Sequence, residues 1–144
     1  MASVSHPKID HVFALAFLYG TASFAHHVHN TIYLADYPNM PRWLTPLGVM
    51  VAWAFVASFG VIGGILVRNR LPTLGYLSLA LFASLGFCGL DHYAIADISR
   101  HTFAMNATIL IEVATGCTLL IAVLCRLPSV MRAEDLADAA SQPN

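Results

Sequence analysis

Four long apolar stretches, separated by short polar segments, dominate the chain. They cover about residues 12–34, 47–67, 74–95 and 103–125. Because an α-helix rises 1.5 Å per residue, about 20 residues cross a hydrocarbon core of about 30 Å, and each stretch is long enough. The pattern predicts an all-α protein, an integral membrane bundle of four transmembrane helices. We expect residues 1–144 to form a single domain with a mobile C-terminal tail over residues 128–144.

The segments between the apolar stretches are short and carry helix-breaking residues. The first, residues 36–46, contains three prolines that stop a helix, and its Tyr37 and Trp43 suit the headgroup region of a membrane. Residues 68–72 predict a tight hairpin, and residues 97–101 a second turn. Neighbouring helices are therefore expected to run antiparallel.

The composition supports a membrane location. Hydrophobic residues make up 58% of the chain and charged residues only 10%, against about a quarter in a typical soluble domain. The net charge of -1 gives no basic surface for nucleic acid, so we expect no nucleic-acid partner. The chain also lacks a phosphate-binding loop, a nucleophile elbow and a dinucleotide fingerprint. Whether it catalyses a reaction stays open.

The distribution of basic residues predicts the orientation. Arg42 and Arg100 fall on one side of the membrane, and five basic residues fall on the other: Lys8, Arg68, Arg70, Arg126 and Arg132. Because basic loops stay in the cytoplasm, we expect a bacterial-type inner membrane with both termini cytoplasmic. In an alternative interpretation, the first stretch is a secretory signal cleaved after Ser23-Phe24-Ala25.

Histidines concentrate at the predicted outer side. Five of the seven fall there, from three different helices: His26, His27, His29, His92 and His101. The helical rise places His29 and His92 within about 6 Å of the outer boundary, and His26 and Glu112 about 10 to 14 Å below it. Polar groups in a bilayer usually face a bundle interior or a cavity, so two polar layers are expected there.

The helical phase of these residues indicates which of them face inward. One face of the first helix carries His26, His29, Asn30 and Tyr33, and one face of the fourth carries His101, Met105, Thr108 and Glu112. His27 points about 100° away from His26, which favours an interfacial position. Thr108 is expected to bond back to its own helix.

Imidazoles converging from three helices favour a transition-metal site, with copper or zinc ahead of iron. The predicted ligands are His26, His29, His92, His101, Glu112 and Met105. Asp91, Asp97, Asn30 and Tyr33 are expected to support them through hydrogen bonds. The thioether of Met105 would favour copper(I), although a buried methionine is also ordinary packing, and His101 also fits a simple loop residue.

Two other functions remain open. The protein could be a non-catalytic accessory subunit of a larger membrane complex, or a homo-oligomer, whose histidines only make hydrogen bonds. It could also be a haem b-binding electron-transfer subunit or quinol oxidoreductase, with His29 and His92 as axial ligands. In the haem case alone, Arg42 and Arg100 would meet the propionates. In every case the lipid bilayer is the first partner.

Overall fold

The computed structural model describes residues 11–141, in which helices are the only regular secondary structure and no strand occurs. The long helices are α1 (His11–Ile32), α2 (Pro46–Arg68), α3 (Pro72–Leu85) and α5 (Phe103–Ser141). A 3-10 segment, Gly86–Leu90, links α3 to the short α4 (Asp91–Ile95), and a second, Ile98–Arg100, precedes α5. His6 and Lys8 lie outside the described residues.

Within the described residues, three segments are long and apolar enough to cross a membrane: Pro46–Arg68, Pro72–Ile95 and Phe103–Ser141. The second of these joins α3 to α4 through the 3-10 segment. With 22 residues α1 has the necessary length. Its four histidines and Asn30 make it more polar than the others. The described part of the chain is therefore helical and suited to a membrane.

Prolines and a local cap set the ends of α2 and α3. Thr45 accepts a hydrogen bond from the backbone N–H of Gly48 (3.1 Å), and Pro46 occupies the first turn, where its missing N–H costs nothing. Pro72 begins α3 in the same way. Between them, Arg70 adopts a left-handed backbone conformation (φ 62°), which reverses the chain.

The helices pack in a closed order, with α1 against α2 and α5, and α3 against α2 and α5. Gly63 and Gly75 let the backbones of α2 and α3 touch, since a Cβ on Gly75 would lie 2.8 Å from the carbonyl oxygen of Gly63. The apolar core of this end, which we call the apolar half, consists of Val12, Tyr19, Tyr76, Leu79, Phe82, Ala83, Leu119 and Val123.

At the other end the buried residues are mostly polar or aromatic. We call this end the polar half; its buried residues include His26, Asn30, Tyr37, His92, His101, Met105 and Glu112. It contains the second half of α1, the loop before α2, the segment 86–101 and the start of α5.

The last helix is longer than the sequence predicted. It continues through Ser141 instead of ending near Cys125, so residues 128–141, predicted as a mobile tail, are helical. Pro128 lacks only one hydrogen bond, and the residues after it are rich in alanine, the best helix former. A carboxylate oxygen of Glu134 also accepts a hydrogen bond from the hydroxyl of Thr73, which ties this helix to α3.

The third predicted span is present as one membrane-length segment, Pro72–Ile95, but the type of helix changes within it. α3 changes to a 3-10 helix at Gly86, where the ring of Tyr19 packs so closely that a Cβ would lie 2.8 Å from it. Because the helical phase changes here, Gly89 and His92 lie in the interior, where both are buried.

Candidate functional site

Glu112 and His26 form the deepest polar contact. Both are 2% exposed, and Nδ1 of His26 hydrogen-bonds to Oε2 of the Glu112 carboxylate. The contact expected from their equal depth is thus present. Gly89 lies beside this contact, and a Cβ there would lie 3.4 Å from Oε2 of Glu112, an ordinary van der Waals distance. Without such a partner, a buried carboxylate would be strongly unfavourable.

His27 also approaches Glu112, which corrects its predicted interfacial position. Its Nδ1 lies 3.9 Å from Oε1 of Glu112 and 2.9 Å from the backbone carbonyl oxygen of Ser23. The sequence prediction considered only the depth of the Glu112 side chain. In the structure its two carboxylate oxygens face two adjacent histidines. One donor atom from each of His26, His27 and Glu112 lies within 4.8 Å of the others.

His92 joins this group from the third span. Its ring centroid lies 5.4 Å from that of His26, and its Nε2 accepts a hydrogen bond from Nδ2 of Asn30 at 3.3 Å. Asn30 therefore supports an imidazole, as the sequence predicted, and links α1 to the segment after α3. His92 also packs against Tyr37 and His101, with centroid separations of 4.9 and 6.1 Å.

His29 lies apart from this group, near the loop. Its Nδ1 shares a hydrogen bond of 2.9 Å with the hydroxyl of Tyr37, and its ring packs against the exposed Tyr33 (4.6 Å between centroids). Tyr37 contacts both His29 and His92, so a tyrosine ring occupies the region where a haem bound by those two residues would lie. The geometry gives that haem arrangement no support.

The buried position of Tyr37 is a second correction. The sequence placed it in the headgroup region together with Trp43, but it is 3% exposed, whereas Trp43 is 79% exposed. The loop turns back over the ends of the helices and inserts the ring between histidines. Burial raises the pKa of the Tyr37 hydroxyl to about 12. No helical periodicity extends into a loop, so periodicity could not have detected this.

His101 is held by Asp97, though not through the predicted carboxylate. Nδ1 of His101 donates to the backbone carbonyl oxygen of Asp97 at 3.1 Å. The Asp97 carboxylate instead interacts with Ser99. The side-chain hydrogen bond of Ser99, and then the bond from its backbone N–H (2.8 Å), lower the pKa of Asp97. His101 is buried, so it is more than an exposed loop residue.

The remaining predicted residues lie outside the group. Met105 packs with Tyr37 and Ile109 in a small apolar cluster. Thr108 donates to the carbonyl oxygen of Met105 at 3.0 Å, the predicted bond to its own helix. Three further residues are exposed: Asp91, Arg42 and Arg100.

Two neighbouring buried side chains, those of His26 and Asn30, each have one polar atom without a hydrogen-bond partner among the described residues. These atoms are Nε2 of His26 and Oδ1 of Asn30. Both residues line a cavity of about 290 Å³ that also touches His27, His92 and Glu112. The cluster thus adjoins open space instead of being sealed by packing.

Comparison of the chain with protein-family models, with curated proteins and with solved structures finds no match in any of the three.

Proposed function

We propose that this chain is an integral membrane protein of four transmembrane helices that binds a transition metal through His26, His27 and Glu112. The observation that carries the proposal is the convergence of these three donor groups, from two helices, within 4.8 Å of one another. Glu112 lies in the middle of an apolar helix, where an ionisable group is rare unless it has a function.

The donor set favours zinc or copper(II). Neutral imidazole and carboxylate are common zinc ligands, with bonds of about 2.0 to 2.2 Å, so a shared ion requires side-chain rotations that bring the three groups closer together than they lie here. Met105 packs elsewhere, and no sulfur atom of the described residues belongs to the group, so the donor set does not favour copper(I). Two imidazoles with one carboxylate also suit iron(II), which ranks third.

The membrane arrangement adds α1 as a fourth span to the three apolar candidates. Arg68, Arg70, Arg126 and Arg132 belong to the end that carries the apolar half, while Arg42 and Arg100 belong to the other. By the distribution of basic residues, the termini are cytoplasmic and the polar half faces outward. A reporter inserted between Asn39 and Met40 should behave as external and one fused after Asn144 as cytoplasmic.

Metal analysis of detergent-purified protein tests the proposed site. Zinc, copper and iron are measured per chain after dialysis, and about one ion per chain is expected for the unmodified protein. His26→Ala, His27→Ala and Glu112→Gln should each lower affinity by tenfold or more, since each removes or weakens one ligand.

His29→Ala is the matched control, because His29 lies on the same helix but against Tyr33 and Tyr37. It should keep its metal. Loss of metal in this variant would restore the wider predicted ligand set. Absence of metal in the unmodified protein, or equal content in all variants, would overturn the proposal and leave an accessory subunit or homo-oligomer as the better account.

A further inference from the structure

The cavity beside the cluster has one polar wall and one apolar wall. His26, His27 and Asn30 line it from α1 and Glu112 from α5, while Ala52, Phe55 and Val56 line it from α2. Its volume of about 290 Å³ is near the lower end of the range for small-molecule sites. A ligand there would meet hydrogen-bonding groups on one side and hydrocarbon on the other.

The cavity opens sideways, toward the surface that α2 presents. Phe55 is 64% exposed and Cys88 is exposed, although both line the cavity. Gly63 and Gly75 hold α2 against α3 near the hairpin, but closer to the polar end the cavity separates α2 from the segment after α3. In the proposed membrane arrangement this opening faces lipid, so the entering molecule must be lipid-soluble.

The two unpartnered atoms define the polar part of the ligand. When Nδ1 of His26 donates to Glu112, its Nε2 is an acceptor, and Oδ1 of Asn30 is an acceptor in any state. Both residues are more than nine-tenths buried. Buried acceptors without donors are unfavourable, and a ligand that carries a donor would satisfy them.

We propose that this cavity binds the hydroxyl-bearing ring of a lipid-soluble molecule of the phenol or hydroquinone class. Rotations of the His26 and Asn30 side chains would bring these two covered atoms to the cavity surface, where the hydroxyl would bond to them, and the ring packs against Phe55 and Val56. A metal on Nδ1 of His26 would leave Nε2 as a donor, and a hydroxyl also accepts, so binding does not depend on the metal. The proposal rests on the membrane location but not on the metal site.

Two probes of matched shape test the proposed binding of a hydroxyl-bearing ring: 4-hexylphenol, which carries the hydroxyl, and hexylbenzene, which does not. Each is added to detergent-purified protein at equal mole fractions in the micelle, and the midpoint of thermal unfolding is recorded. We expect 4-hexylphenol to raise the midpoint and to bind about tenfold more tightly than hexylbenzene, the scale of one hydrogen bond to a buried acceptor. Equal binding of the two probes would overturn the proposal.

Variants locate the binding site. Asn30→Leu should reduce the preference for the hydroxyl, and Ala52→Leu should weaken binding of both probes by narrowing the cavity while leaving metal content unchanged. The matched control is Ala57→Leu, because Ala57 lines a different, apolar groove beside Phe24 and Trp53. Loss of binding in Ala57→Leu but not in Ala52→Leu would assign the probes to that groove and refute the proposed cavity.

Discussion

The two ends of this molecule are buried by different means. In the apolar half, Tyr19, Leu79 and Leu119 are each at most 1% exposed, and Tyr19 packs on Phe82 with 4.6 Å between ring centroids. In the polar half, Glu112 and His26 are almost as deeply buried. Their contact is a hydrogen bond instead of apolar packing. Equal burial thus arises from unlike chemistry.

This difference distinguishes the residues that stabilise the fold from the residues that form the candidate site. Apolar packing stabilises a helix pair wherever shapes fit, whereas buried polar groups stabilise it only when every partner is present. Among the described residues, the polar half leaves Nε2 of His26, Oδ1 of Asn30 and Nε2 of His101 without partners and encloses a cavity. We therefore expect it to be the less stable half and the half that binds a polar ligand.

The largest expected effect comes from removing one member of the buried pair. Glu112→Leu leaves His26 buried without its acceptor and should lower the free energy of unfolding by about 3 to 5 kcal/mol, the range for a broken buried pair. Reversible unfolding in mixed detergent, followed by helical circular dichroism, measures it.

The double variant His26→Leu with Glu112→Leu sharpens the comparison. Replacing both members of a buried pair by apolar residues is often neutral or stabilising, so most of the lost stability should return, while metal binding should not. A double variant as unstable as the single one would mean that the pair maintains the fold and would narrow the difference between the two halves.

The second effect lies in the apolar half, where α2 meets α3. Gly75→Ala places a Cβ 2.4 Å from Cγ2 of Val67 and 2.8 Å from its backbone nitrogen, so the helices must move apart. We expect a loss of about 1 to 3 kcal/mol in the free energy of unfolding, the usual cost of overpacking.

Gly64→Ala is the matched control, since the nearest atom to its Cβ would be Cε1 of Phe13 at 3.9 Å. It should unfold at the same detergent composition as the unmodified protein. Because alanine forms helices better than glycine, helix propensity cannot lower the stability of either variant. If both variants lose equal stability, the close contact at Gly75 would not be the cause, and the packing argument for this helix pair would be wrong.

The sequence predicted the helices better than their junctions. Apolar runs gave α1 and α2 to within two residues at each end, because membrane-length helices depend mainly on local hydropathy. The 3-10 segment at Gly86 arises from a distant contact with Tyr19, and the extension of α5 is accompanied by the contact between Thr73 and Glu134. Local hydropathy contains no information on either contact, although the alanine-rich sequence after Pro128 does favour a helix.

Of the contacts around Glu112, the sequence predicted the one with His26 but not the approach of His27. Helical rise correctly brought Glu112 level with His26, because depth follows from residue counting. Counting could not place His27 or Tyr37, whose positions depend on side-chain rotation and on the path of a loop. Met105 was predicted on the same helix face as Glu112, but it packs with Tyr37 and Ile109. The face of a helix shows which side chains point inward and not which residues they contact.

The smallest expected effect concerns Tyr37, whose loop closes the polar half. Burial raises its pKa to about 12, against about 10 in an unfolded chain, so the folded state holds its proton more tightly. The resulting stabilisation is complete below pH 10 and is lost as the pH rises toward 12. Tyr37→Phe keeps the ring against His92 but removes the hydrogen bond with His29, and should cost about 1 kcal/mol at neutral pH. Unfolding curves recorded from pH 8 to 12 should show a smaller alkaline decline for this variant than for the unmodified protein. Parallel curves would place the Tyr37 hydroxyl in water and leave the polar half open at its outer end.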